Sequence, residues 1–234
     1  MKQTKRATVP AIIFNALVVI TALFAVIAYF IPDSPLVPGS GALVGHQWEC
    51  LRFFTTDSNL LAAVAAGVML VYEIKALRGG QTPRWAVLLK YAATVSVALT
   101  FLTVALILGP LFSLPVFFMQ GPAAALNAYT FLFSGNIFFL HFLTPVLALI
   151  AFLFFEREHR LSVKDALIAI CPMLFYGALY TVFVLTGVWP DMYNFTFGGQ
   201  YWLAAIVLPL MIGFTFLISV LIRLIRNRVM KEKA

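Results

Sequence analysis

The sequence predicts an all-α polytopic membrane protein with six transmembrane helices and both termini on the cytoplasmic side. Composition is the first reason: 62% of the 234 residues are hydrophobic and 11% charged, against roughly 45–50% and 25% in an ordinary soluble domain. A soluble fold cannot hide that much apolar surface. The second reason is six apolar runs, each long enough to cross a hydrocarbon core, which takes about 20 helical residues. The third is that basic residues gather in alternate links, as they do when retained on the cytoplasmic side during insertion.

In order, the runs are Val9 to Ile31, Phe53 to Tyr72, Ala86 to Leu108, Ile137 to Phe155, Ala166 to Val188 and Tyr201 to Ile225. Helices are forced, because lipid offers backbone groups no partners and the runs neither alternate nor shorten as barrel strands would. The first run is long, lacks a small-residue cleavage pattern and is followed by further spans, so it reads as retained and not as a signal peptide. The chain reads as one domain, 1–234, with no soluble appendage, repeat or low-complexity tract. Any chemistry therefore belongs in or beside the bundle.

Orientation follows from the links. Lys2, Lys5 and Arg6 precede span one, and Lys75, Arg78, Arg84 and Lys90 surround the link between spans two and three. Arg157, Arg160 and Lys164 lie between spans four and five, and Arg223, Arg226, Arg228, Lys231 and Lys233 close the chain. The alternate links, Pro32 to Arg52, Gly109 to Asn136 and Trp189 to Gln200, contain Arg52 as their one basic residue. The net charge of +7 is thus a topology signal, with an attraction to anionic inner-leaflet lipid of about 1 kcal/mol per exposed basic residue. It does not point to nucleic acid. Cys50 and Cys171 fall near opposite faces of the membrane, beyond the roughly 4–7 Å between Cα atoms that a disulfide needs.

The cytoplasmic links, Arg78-Gly79-Gly80 and Glu156 to Arg160, read as solvated connectors. The third link is different: Leu111, Phe112, Leu114 and Val116 to Met119 precede Gly121-Pro122. Such a segment belongs at an interface or in a re-entrant piece capping the outer mouth; the alternative is a fourth span that starts early. Trp189, Tyr193, Tyr201 and Trp202 flank the last outer link as an aromatic belt would, and Asn194-Phe195-Thr196 is a glycosylation sequon.

Polar residues inside a span are expensive and mark candidate sites. Arg52-Phe53-Phe54-Thr55-Thr56-Asp57-Ser58-Asn59 opens span two, and at 100° per residue Thr55, Ser58 and Asn59 share one face. Span four carries His141, with Thr144 and Pro145 one turn further in. Both helices run inward, so Thr55 and His141 each fall roughly 6–8 Å below the outer boundary, at 1.5 Å per residue. A threonine hydroxyl becomes a nucleophile when a neighbouring imidazole takes its proton. Such a pair could attack a lipid ester, with Thr56, Ser58 or Asn59 stabilising the oxyanion and Arg52 or Asp57 orienting the site.

Plainer readings stand beside this one. The hydroxyls may be read as bonding back to carbonyls or to neighbouring helices, His141 as a packing residue, and Arg52 with Asp57 as an interfacial ion pair. Tyr176, Tyr180 and Thr181 are placed to line the same cavity or to pack. His46, Glu49 and Cys50 match no compact metal-ligand spacing, so neither metal nor cofactor is expected.

The two polar segments resemble a known family. Arg52-Phe53-Phe54-Thr55-Thr56-Asp57-Ser58-Asn59-Leu60-Leu61 and His141-Phe142-Leu143-Thr144-Pro145-Val146-Leu147-Ala148-Leu149 are similar to the two signatures of the androgen-induced family of six-span proteins. Its animal members are threonine hydrolases of fatty acid esters of hydroxy fatty acids, using one Thr and one His within the membrane. The resemblance implies Thr55 as nucleophile and His141 as base; Thr56 and the polar run after it depart from the animal pattern and leave the register between Thr55 and Thr56 open. The short links suit a bacterial inner membrane. The expectation is a lipid esterase whose partners are membrane lipids or a fatty acid ester. Its rivals are a lipid acyltransferase with Cys50 as a second nucleophile, and a non-enzymatic lipid-binding or transport protein.

Overall fold

The computed structural model describes residues 5–31, 36–37, 47–156 and 158–231, and the side chains of these from residue 8 onward. Lys2, His46, Arg157 and Lys233, and the side chains of Lys5 and Arg6, lie outside the described set. Six helices are long and apolar enough to cross a membrane: Thr8–Ala28, Phe54–Leu77, Arg84–Gln120, Gly135–Phe155, Val163–Leu185 and Tyr201–Lys231. No strand occurs among the described residues. The chain is therefore an all-α, multi-pass membrane protein.

Side-chain bonds fix the antiparallel order. At the end of the bundle where the chain's own ends emerge, the Asn15 amide of span one bonds Glu73 of span two and Glu156 after span four. At the opposite end Asn136, opening span four, donates to the Ala25 carbonyl of span one at 3.0 Å, and Tyr176 of span five donates to the Arg52 carbonyl before span two. Between these levels small residues let the helices approach closely. Ala62, Ala65 and Ala66 of span two meet Val18 of span one, Ala93 and Val97 of span three and Ala148 of span four.

Prolines shape two spans. A proline has no N–H to give the carbonyl four residues back and its ring crowds that carbonyl. Pro110 follows the wider π-turn Val104–Leu108, and Pro145 follows the π-turn Phe139–Leu143, which contains His141. In span three the Ala105 carbonyl is taken by the Tyr129 hydroxyl at 3.0 Å. A Cβ at Gly109 would stand 2.4 Å from the Tyr129 ring, so only glycine admits that contact.

The third link is neither an early start of span four nor an irregular cap. Span three runs on through Gly109–Gln120, turns at Gly121 with φ 87° and returns as Pro122–Phe131, making a helical hairpin. Leu111, Phe118 and Met119 remain 63%, 77% and 81% exposed, as an arm lodged in lipid requires. Of the four aromatic residues around the last link, Tyr201 and Trp202 are exposed as a belt would be. Trp189 and Tyr193 instead pack on Phe183, Tyr180 and Phe53.

The connector after span four is not solvated. Glu156 and Glu158 are buried, and so is Arg226 of span six, whose guanidinium donates to the Glu156, Glu158 and His159 carbonyls at 2.6–3.2 Å. The same group stacks 4.6 Å from the Phe152 ring centroid. A helix end leaves carbonyls without partners, and here an arginine fork supplies them. Lys90, read as part of a basic link, is also buried, inside span three.

Arg226→Met should therefore leave buried carbonyls unpaired at about 1–3 kcal/mol each, lowering the thermal midpoint followed by size-exclusion chromatography in detergent. Arg226→Lys should be nearly as unstable, because one ammonium lacks the planar fork. A lysine variant as stable as the unsubstituted protein would show that the fork geometry does not matter.

Candidate active site

Span two begins without a side-chain cap: its N-cap residue is Phe53, in extended conformation. The free N–H groups of such a first turn need other acceptors. Phe54 N–H donates to the Tyr193 hydroxyl at 3.0 Å, and the Thr56 and Asp57 N–H groups reach the Phe53 carbonyl.

At 100° per residue, the buried positions of span two from Thr56 to Glu73 cover one broad arc, and Thr55, one turn before Asn59, lies near its middle. Thr55 nevertheless remains partly exposed, while Thr56 at the edge of the arc is buried. Helix lengths set the surroundings of this first turn. Ser58 bonds Thr100, and from Thr100 span three continues to Gln120, about 30 Å of helical rise. Tyr176, level with Arg52, has Leu185 still ahead of it, about 13 Å further. Spans three and five thus rise past the start of span two, which is sunk among them.

Asn59 ties this turn to span four. Its amide nitrogen donates to the Thr55 carbonyl at 2.8 Å and to the Leu140 carbonyl at 3.0 Å, so Thr55 and the residue before His141 sit within reach of one side chain. The Thr55 and His141 side chains share no hydrogen bond. The His141 Nδ1 lies 2.7 Å from the Leu132 carbonyl; a carbonyl only accepts, so Nδ1 carries the proton and Nε2 keeps its lone pair. The Phe133 ring stands edge-on to the imidazole at 6.4 Å. Leu132 and Phe133 close the hairpin, so the third link orients the histidine.

Hydroxyls elsewhere in the spans, such as Thr94, Thr181 and Thr215, bond to the carbonyl one turn back. Thr55 and Thr56 do not, because the chain before them is a 3₁₀ turn, Gln47–Arg52, and offers no aligned carbonyl. Ser58 is committed to the Thr55 carbonyl and Thr100, and both amide hydrogens of Asn59 are committed to carbonyls. Neither then keeps a free donor to stabilise an oxyanion.

The remaining expected residues are placed as follows. Thr144 is buried and donates to the Thr21 hydroxyl at 2.8 Å, joining spans four and one. Arg52 pairs with Glu49 at 3.3 Å and not with Asp57. Asp57 lies on the flank of span two toward Tyr176 and Tyr193. Tyr180 donates to Asp191 at 2.8 Å and so anchors the last loop. Burial alone would raise the Asp191 carboxyl, but the Thr196 hydroxyl and N–H, the Tyr180 hydroxyl and the Phe195 N–H hold it below the usual range. Among the described residues no three His, Cys, Asp or Glu side chains converge as a metal site.

Comparison with protein-family models, with characterised proteins and with solved structures returns no match. The class of the protein, a six-span helical membrane protein, rests on its own sequence and structure.

The imidazole assignment is measurable. In protein labelled with ¹⁵N-histidine and held in lipid nanodiscs, His141 should show a protonated Nδ1 and an unprotonated Nε2, identified by loss of that signal pair in His141→Gln. The opposite tautomer would break the hydrogen bond to Leu132.

Proposed function

We propose that the protein is an intramembrane lipid ester hydrolase in which Thr55 attacks the ester carbonyl and His141 Nε2 accepts its proton. The observations that support this most are an imidazole whose Nδ1 is occupied by the Leu132 carbonyl and Asn59, whose amide joins the Thr55 carbonyl to that of Leu140, the residue before His141. The proton then passes to the leaving alkoxide, and a water deprotonated by the same imidazole releases the acyl group. The Thr55 N–H, at the positive end of an uncapped helix, receives the developing oxyanion. The base reaches the hydroxyl through one water or on closure around substrate, as is common for sites without substrate.

The substrate class is a fatty acid ester entering from lipid, matched to the apolar hairpin and the aromatic wall of Tyr176, Tyr180 and Tyr193. Hydrolysis is favoured over acyl transfer through Cys50, because burial, with the Asp57 charge second, pushes that thiol up to about 11; a thiol so held is no nucleophile near neutrality. The basic-residue pattern supports cytoplasmic termini in a bacterial inner membrane, with Thr55 toward the other side.

Thr55→Ala and His141→Ala should each reduce labelling by a fluorophosphonate probe and ester turnover, His141→Ala by roughly 10²–10⁴-fold, while chromatographic behaviour is unchanged. Thr56→Ala should cost less. A dead Thr56→Ala with an active Thr55→Ala would move the nucleophile by one residue, and labelling of all three would end the mechanism. Orientation is tested separately. With Cys50 and Cys171 replaced, cysteine at Gln200 should react with an impermeant maleimide in intact cells and cysteine at Arg78 should not; the reverse pattern would invert the protein in the membrane.

A further inference from the structure

At the end of the bundle opposite Thr55, four polar side chains from four segments meet in a dry setting. Asn15, Glu73, Lys90 and Glu156 are each completely buried. One amide nitrogen, Asn15 Nδ2, donates to Glu73 Oε1 at 2.9 Å and to Glu156 Oε1 at 2.8 Å, which brings the two carboxyl groups together on one donor. Lys90 Nζ donates to the Asn15 Oδ1 at 2.5 Å and stands 3.7 Å from Glu156 Oε1. The second oxygens, Glu73 Oε2 and Glu156 Oε2, are buried without a hydrogen-bond partner among the described residues. The hydrolase reading uses none of these residues; Glu73 lies about 27 Å along span two from Thr55.

The charges do not balance. Two carboxylates face one ammonium, and widening the circle adds one of each sign. Glu158, whose Oε1 accepts from the Thr82 hydroxyl, contributes a carboxylate, and Arg226 a guanidinium spent wholly on backbone carbonyls. Among the described residues either count leaves one negative charge in excess, and an uncompensated charge in a low-dielectric interior is neutralised by protonation in preference to being tolerated. Two carboxyl groups sharing a site cannot both ionise freely. A metal cation fits less well, because Lys90 already holds the position from which a cation would balance Glu156.

We propose that Asn15, Glu73, Lys90 and Glu156 form a proton-binding site in which the two glutamates share one exchangeable proton. Glu73 is one turn from the end of span two and Glu156 is the first residue past span four, so the proton exchanges with the face that carries the chain's ends. Its loss leaves a net charge among spans one, two, three and four, and so biases how those helices dock.

Infrared spectroscopy of the whole protein in nanodiscs, in H₂O and in D₂O at neutral pH, tests this. The unsubstituted protein should show the carbonyl stretch of one un-ionised carboxylic acid, shifted by deuterium. Glu73→Gln and Glu156→Gln should each remove it, since the remaining glutamate then pairs with Lys90. Lys90→Met should instead increase the band about twofold, both glutamates then taking a proton. Absence of the band in the unsubstituted protein overturns the proposal before any variant is made, and persistence in both glutamine variants overturns it too. Loss of the band on replacing choline by sodium or potassium at constant pH would show an alkali cation in place of the proton.

Discussion

Hydrocarbon supplies no hydrogen-bond partner, and the rest of this structure follows from that. Each polar group drawn into the bundle has to be met by another from the same chain, and those meetings set which helices touch. Arg226 closes the carbonyls at the end of span four, Asn136 closes one at the end of span one, Asn59 joins spans two and four, and the Thr144 hydroxyl rests on Thr21. These bonds are specific where lipid-facing leucines and phenylalanines are not. Small residues in the middle of the membrane then let the helices close.

The second consequence is the unequal height of the spans. Spans three and five rise past the start of span two, which is sunk among them. A soluble protein would cap that turn with a serine or aspartate; here Phe53 occupies the cap and a tyrosine hydroxyl from the last loop takes one N–H. The Thr55 and Thr56 hydroxyls lack back-bonds because the 3₁₀ turn before them offers no aligned carbonyl.

The two polar regions also differ in kind. Around Thr55 short hydroxyl and amide side chains predominate, with the charged Arg52 and Asp57 on the flank. Around Glu73 the groups are ionisable, long and sealed. Span two and the segment from His141 to Glu156 carry parts of both, with an alanine-packed middle between them.

What the sequence determined by itself was the part written in period, length and charge. Six apolar runs, their alternation, the polar opening of span two and the His141 of span four could all be read along the chain, because lipid imposes a length and a polarity on each segment independently of the others. Tertiary structure decided what depends on partners. Glu156 and Glu158 look like a solvated connector until Arg226, some seventy residues on, folds over them. Lys90 looks like a topology signal until Asn15 and Glu156 surround it. Asn59 looks like an oxyanion donor until both its hydrogens are found on carbonyls. Pro145, four residues after His141, was the one local sign of the π-turn there. Burial is a property of neighbours, and the neighbours of these residues lie far away in sequence.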